Sequence, residues 1–272
     1  MSVPNIKLAD GTSIPQFGLG LWKVTDEQTF SEMFDSAIDA GYRMFDSAQI
    51  YKNEQLLGSA IKASRVSRSE LYITTKISVN NFGYKKTLSS FKTSMEKLDI
   101  DYVDLLLLHF PVSVLRKKSW KALEEIQASG QVKSIGVSNY TVRHLKELSG
   151  YAHIMPVVNQ VELHLFLQQP ELVEYCINHR IAIEAYSPLA HGKRMDDDIV
   201  LQIANKHEKT YAQIMLRFLI QLGMIVIPKS VTKDRIEQNI NIFDFKLDGS
   251  DMKVLKSADR NLRTCWNPTL VP

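Results

Sequence analysis

Cysteine is scarce in this chain. Cys176 and Cys265 stand far apart and form no CxxC pair, which argues against a disulfide framework or a zinc ribbon and fits a reducing compartment with two free thiols. Long apolar runs are missing as well. The longest, such as Val103 to Leu108, fall far short of the ~20 residues a membrane helix needs. Met1 to Ile14 carries charges and a turn, without the basic stretch leading into an apolar run that marks a secretory signal, so the expected location is cytoplasmic. Charge of one sign is also absent: 33 basic and 30 acidic residues leave a net +3, with no extended basic face for nucleic acid. The seven histidines show no HExxH or comparable ligand spacing, so no metal is expected.

What is present is a soluble globular balance, 44% hydrophobic and 23% charged, in a length suited to one large domain spanning residues 1–272. Asp10-Gly11, between the short apolar segments Asn5 to Leu8 and Thr12 to Ile14, predicts an opening β-hairpin. Eight β-prone runs follow: Gln16 to Gly20, Arg43 to Asp46, Leu71 to Ile77, Val103 to His109, Val132 to Ser138, Val157 to Glu162, Ile181 to Ser187 and Met224 to Ser230. Helical spacing separates them, as in Thr25 to Ala40 before Gly41 and in Tyr84 to Leu98. Between the last two runs there is room for two helices, Ile199 to His207 and Tyr211 to Leu222. Apolar strands alternating with helices through eight units predict a (β/α)8 TIM barrel behind an N-terminal hairpin.

In such a barrel chemistry gathers where strands end, so polar residues that terminate apolar runs are the candidates. Asp46, Lys76 and His109 each end a run, and Tyr51 lies in the loop after Asp46. Asp46 beside Lys76 reads as a buried charge pair, which by itself is as compatible with structure as with catalysis. An ammonium near a phenol favours the phenolate, so Tyr51 is expected to give up a proton more easily than free tyrosine and to serve as a general acid. His109 would orient the same substrate oxygen, although a lone histidine more often packs in a core.

A dinucleotide fingerprint is missing, because Gly18 and Gly20 are followed by Lys23 where a third glycine is needed. Lys229, Ser230, Val231 and Arg235 instead surround a strand-to-helix turn, which suits an anion such as an adenosine 2′-phosphate or is simply a solvated basic helix start. Tyr186 offers a ring for nicotinamide stacking, and Ser138, Asn139 and Gln160 offer donors and acceptors for its carboxamide; each alone reads equally as structural.

Together, Gly41 to Ala48 with Tyr51, Thr75-Lys76, Leu108-His109, Gly136 to Tyr140, Asn159-Gln160 and Ile227 to Asn239 resemble the aldo-keto reductase family over nearly the whole chain. The resemblance implies Asp46, Tyr51, Lys76 and His109 as a catalytic tetrad in an NADPH-dependent reductase of small carbonyl compounds, acting as a monomer. It also implies cofactor contacts from Ser138, Asn139, Gln160, Tyr186, Ser187, Leu189, Lys229, Ser230, Val231, Arg235 and Asn239. Gln238 stands where many relatives carry glutamate near the adenine. Ser78 and Phe110 stand where many place tryptophan, which leaves Trp22 and Trp266 as aromatic walls of a wider substrate site, as in the small microbial members. Two rival readings are a non-catalytic NADP-binding regulator on the same barrel, and a Schiff-base lyase with Lys76 as nucleophile.

Overall fold

The computed structural model describes residues 3–193 and 197–272. A two-stranded antiparallel hairpin, β1 (Asn5–Lys7) and β2 (Ser13–Pro15), precedes eight parallel strands: β3 (Leu19–Gly20), β4 (Met44–Asp46), β5 (Tyr72–Ile77), β6 (Val103–Leu108), β7 (Val132–Ser138), β8 (Val158–Glu162), β9 (Ala182–Tyr186) and β10 (Ile225–Ile227). They pair in sequence order, and a parallel bridge from Phe17 to Val226 joins the first to the last, closing the barrel. The predicted strands are all present. Most lose a residue or two at their ends, and two are much shorter than expected: Pro228, which has no N–H to donate, ends β10 early, and regular pairing along the predicted first strand begins only at Leu19.

Ten helices surround the barrel among the described residues: α1 (Glu27–Ala40), α2 (Glu54–Ala63), α3 (Tyr84–Leu98), α4 (Arg116–Ala128), α5 (Val142–Ser149), α6 (Pro170–Asn178), α7 (Asp198–Lys206), α8 (Tyr211–Gln221), α9 (Lys233–Ile240) and α10 (Gly249–Lys256). The two helices expected between the last strands are α7 and α8. Helix α1 shows how local sequence sets these elements. The Asp26 carboxylate accepts from the Thr29 amide at 2.8 Å, a cap of about 1 kcal/mol; Phe30, Met33, Phe34, Ala37 and Ile38 form its buried stripe; and Gly41 ends it at φ 97°.

Inside the barrel, Met44, Tyr72, Leu105, Leu107, Val158, Ile225 and Ile227 pack with Leu8 and Ile14 of the hairpin, which therefore stoppers the amino-terminal end. Ser134 on β7 bonds Asp10 at 2.7 Å and Thr12 at 2.9 Å, tying the hairpin turn to the barrel. A Cβ at Gly136 would come within 2.6 Å of the Val158 carbonyl, so β7 and β8 can approach this closely only with glycine there. With one end filled, polar side chains collect at the other.

Candidate active site

Three neighbouring strand ends, those of β4, β5 and β6, bring the predicted tetrad together. Lys76, fully buried on β5, directs its Nζ to Asp46 Oδ1 on β4 at 2.5 Å, to the Ser47 carbonyl at 2.9 Å and to the Tyr51 hydroxyl at 3.5 Å. His109 follows β6, its ring edge-on to Tyr51 with centroids 5.6 Å apart. Among the described residues, no protein group bonds the His109 ring nitrogens, whereas its backbone is fixed by Ile77 and Asn139.

The loop that presents Tyr51 is held rigidly. Asn53 donates to the Leu21 and Val24 carbonyls at 2.8 and 3.0 Å and accepts from Ser47 Oγ at 2.7 Å. Gln49 donates to the Ser90 carbonyl and Ser94 Oγ and accepts from the Ser78 amide and Asn81, so it locks the β4 loop to the β5 loop. Ser78 is thereby buried, with its backbone engaged.

Electrostatics separates the roles. Burial works against the Lys76 ammonium, but the charge and hydrogen bond of Asp46, with further contributions from Tyr51 and Glu184, together outweigh that cost and the pKa is raised, so the amine stays charged and does not offer the neutral nitrogen a Schiff base requires. Burial, aided by the Lys76 charge, pushes His109 down to about 3, so the imidazole is neutral at working pH. For Tyr51 the expected shift is corrected: burial raises its pKa more than Lys76 lowers it, so the resting group is a phenol that keeps its proton.

A second arc continues from Asp46. Gln160 Nε2 on β8 bonds Asp46 Oδ2 at 2.8 Å and Glu184 Oε2 on β9 at 2.9 Å. Ser138 Oγ donates to the Gln160 carbonyl at 2.9 Å, Asn139 Nδ2 bonds Ser138 Oγ and the His109 carbonyl, and the Tyr186 hydroxyl donates to Asn139 Oδ1 at 2.7 Å. The three predicted carboxamide residues and the predicted stacking ring of Tyr186 thus join one network with the tetrad, in which both Asn139 Nδ2 hydrogens are engaged. Ser187, at φ 48°, and Leu189 lie in the following turn.

Residues 16–260 match the aldo/keto reductase family. The chain belongs to that family. It is 44% identical over 263 residues to the glyoxal reductase of Bacillus subtilis (strain 168), covering 97% of this chain and 95% of that one. It is 40% identical to the methylglyoxal reductase DkgA of Escherichia coli (strain K12), covering 97% and 96%. An aldo-keto reductase of Bombyx mori solved in complex with NADP superposes with TM-score 0.91 at 33% identity, covering 97% and 95%.

In this aldo-keto reductase the basic turn forms a second region. Lys229, Val231, Arg235 and Gln238 are exposed and Ser230 and Asn239 buried. Neither Lys229 nor Arg235 makes an ion pair among the described residues, and Thr232 caps α9 without a side-chain bond. Free cations beside open helix amides are the donor set a phosphate requires. No hydrogen bond joins this turn to the tetrad network among the described residues; the backbone bond from Gly20 to the Pro228 carbonyl at 3.0 Å places it on the adjoining strand.

The aromatic walls are placed by the tail. Trp266, 73% exposed, stands edge-on to Phe110 at 6.1 Å, and Trp22 stands edge-on to His191 at 5.8 Å. His191 Nε2 lies 3.1 Å from Cys265 Sγ, which connects the two sides. The tail itself is held by Glu162 on β8, buried completely and accepting from the Thr264 amide and hydroxyl at 2.6 Å, the Cys265 amide at 3.2 Å and Arg263 at 3.4 Å. Burial would raise this carboxyl, but these donors and His164 win and hold it at about 2. Glu162 and Glu184 were not singled out from sequence, although a lone acid in an apolar strand was the available signal. Gln49 and Asn53 carried none.

Proposed function

We propose that this reductase uses NADPH to reduce aldehydes and dicarbonyls to alcohols, working as a monomer, one domain spanning residues 1–272, in the cytoplasm. The observation that carries the reading is the Tyr51 hydroxyl within 3.5 Å of Lys76 Nζ and beside the His109 ring, in surroundings that favour the phenol, the ammonium and the neutral imidazole. NADPH, held by the Tyr186 arc and the Lys229–Asn239 turn, would supply the hydride. As that hydride adds to the carbonyl carbon, the Tyr51 hydroxyl gives its proton to the carbonyl oxygen, and the Lys76 ammonium steadies the phenolate left behind. His109, unable to hold a second proton, donates a hydrogen bond that aligns the oxygen. Asp46 keeps Lys76 charged. Ser78, Phe110, Trp22 and Trp266 would line the substrate side. Relatives named for glyoxal and methylglyoxal support small dicarbonyls. Both cysteines are free. No described helix is long and apolar enough to cross a membrane.

The test is NADPH consumption against aldehydes, dicarbonyls and keto-sugars, for the wild type and Tyr51→Phe. We expect turnover to fall by at least about 100-fold in the variant while NADPH affinity changes less than about twofold. Turnover retained in Tyr51→Phe refutes the proton donor; tight NADPH binding without turnover on any carbonyl would establish the non-catalytic regulator instead.

A further inference from the structure

Glu184 is a fully buried acid inside the barrel that forms no ion pair among the described residues, and it faces the same amide as Asp46. Gln160 and Glu184 are register partners on adjacent parallel strands, so their side chains point inward side by side. An amide nitrogen has two hydrogens, and in Gln160 both are committed, one to Asp46 Oδ2 and one to Glu184 Oε2. The amide is therefore clamped from both sides, and only Oε1 is left to meet a ligand.

We propose that Glu184 is a positioning residue that holds the Gln160 amide so that it presents an acceptor, not a donor, to the carboxamide NH2 of a reduced nicotinamide. The inference rests on the proposed role of Gln160 in the cofactor site. With only Asp46 as partner, the amide would have one hydrogen unpaired in the barrel and a reason to rotate, which would turn its polarity toward the ligand. The state of Glu184 agrees with this role. Burial, then the Asp46 charge, pushes its carboxyl up to about 8, so at neutral pH the acid is mostly protonated while Oε2 accepts from Gln160. A glutamine at this position would reproduce that shape and that acceptor.

The test compares Gln160→Leu, Glu184→Leu and Glu184→Gln in the full chain, using fluorescence titration with NADPH and with its reduced 3-acetylpyridine analogue, which replaces the carboxamide NH2 by a methyl group. We expect the wild type to prefer NADPH by about tenfold, the worth of one well-placed hydrogen bond. Gln160→Leu and Glu184→Leu should lose most of that preference, and Glu184→Gln should retain it. If leucine prevents folding, Glu184→Thr, suited to a strand but too short to reach Gln160, carries the same expectation. A preference abolished by Gln160→Leu but intact in Glu184→Leu or Glu184→Thr would overturn the positioning role while leaving the Gln160 contact standing. A preference intact in Gln160→Leu would overturn both.

Discussion

Lys76→Met tests the arrangement on which everything at the barrel mouth depends. Lys76 is fully buried, Asp46 nearly so, and their atoms approach to 2.5 Å. Removing the ammonium would leave the Asp46 carboxylate in the barrel with the Gln160 amide as its only remaining side-chain partner among the described residues. Stranding one member of a buried pair costs about 3–5 kcal/mol, far more than the pair contributes relative to an apolar replacement of like size. The corresponding Asp46→Asn change leaves the ammonium with the Ser47 carbonyl and Tyr51, and a loss of the same order is expected. Because each single change exposes the other partner's unpaired charge, the double variant Asp46→Asn/Lys76→Met should be more stable than the sum of the single losses, by a coupling of about 2–3 kcal/mol. Urea unfolding of the four proteins at pH 7, with slopes compared to confirm that the unfolded states match, measures this directly. Single losses below about 1 kcal/mol that add in the double variant would refute the account of a desolvated pair.

Arg235→Ala should weaken NADPH binding by about 10- to 100-fold, the loss of a charge-assisted hydrogen bond, while leaving NADH affinity within about threefold; equal losses for the two would remove Arg235 from the 2′-phosphate site. Glu184→Gln should stabilise the fold increasingly as pH rises. The folded carboxyl, at about 8, lies above its unfolded value near 4.5, so the wild type alone loses stability between those pH values, on the order of 1 kcal/mol per unit. Unfolding at pH 5 and pH 7 checks this, and a difference between the two proteins that does not grow with pH would contradict it.

The eight strands, the hairpin and the two late helices were readable because each rests on local pattern: apolar runs of strand length, Asp10-Gly11, and the 3.6-residue spacing of stretches such as Tyr84–Leu98. The tetrad was readable for a related reason, since a polar residue ending an apolar strand must lie at a barrel mouth. What was not readable depends on neighbours distant in sequence. Gln160 meets Asp46 across 114 positions, and nothing local to either residue signals it. The sign of the Tyr51 shift failed for the same reason. A nearby ammonium can be guessed from strand order, but whether burial outweighs it depends on how the whole mouth packs.

The grip of Glu162 on the tail bears on any attempt to remodel the pocket. In a chain cut after Leu262, that carboxylate would lose the donors from Arg263, Thr264 and Cys265 and keep, among the described residues, only His164 as a side-chain partner. The last residues are thus a keystone of the barrel as well as a wall of the site. A graft that exchanges the tail for one of different specificity must bring matching donors for Glu162 or replace the acid along with it.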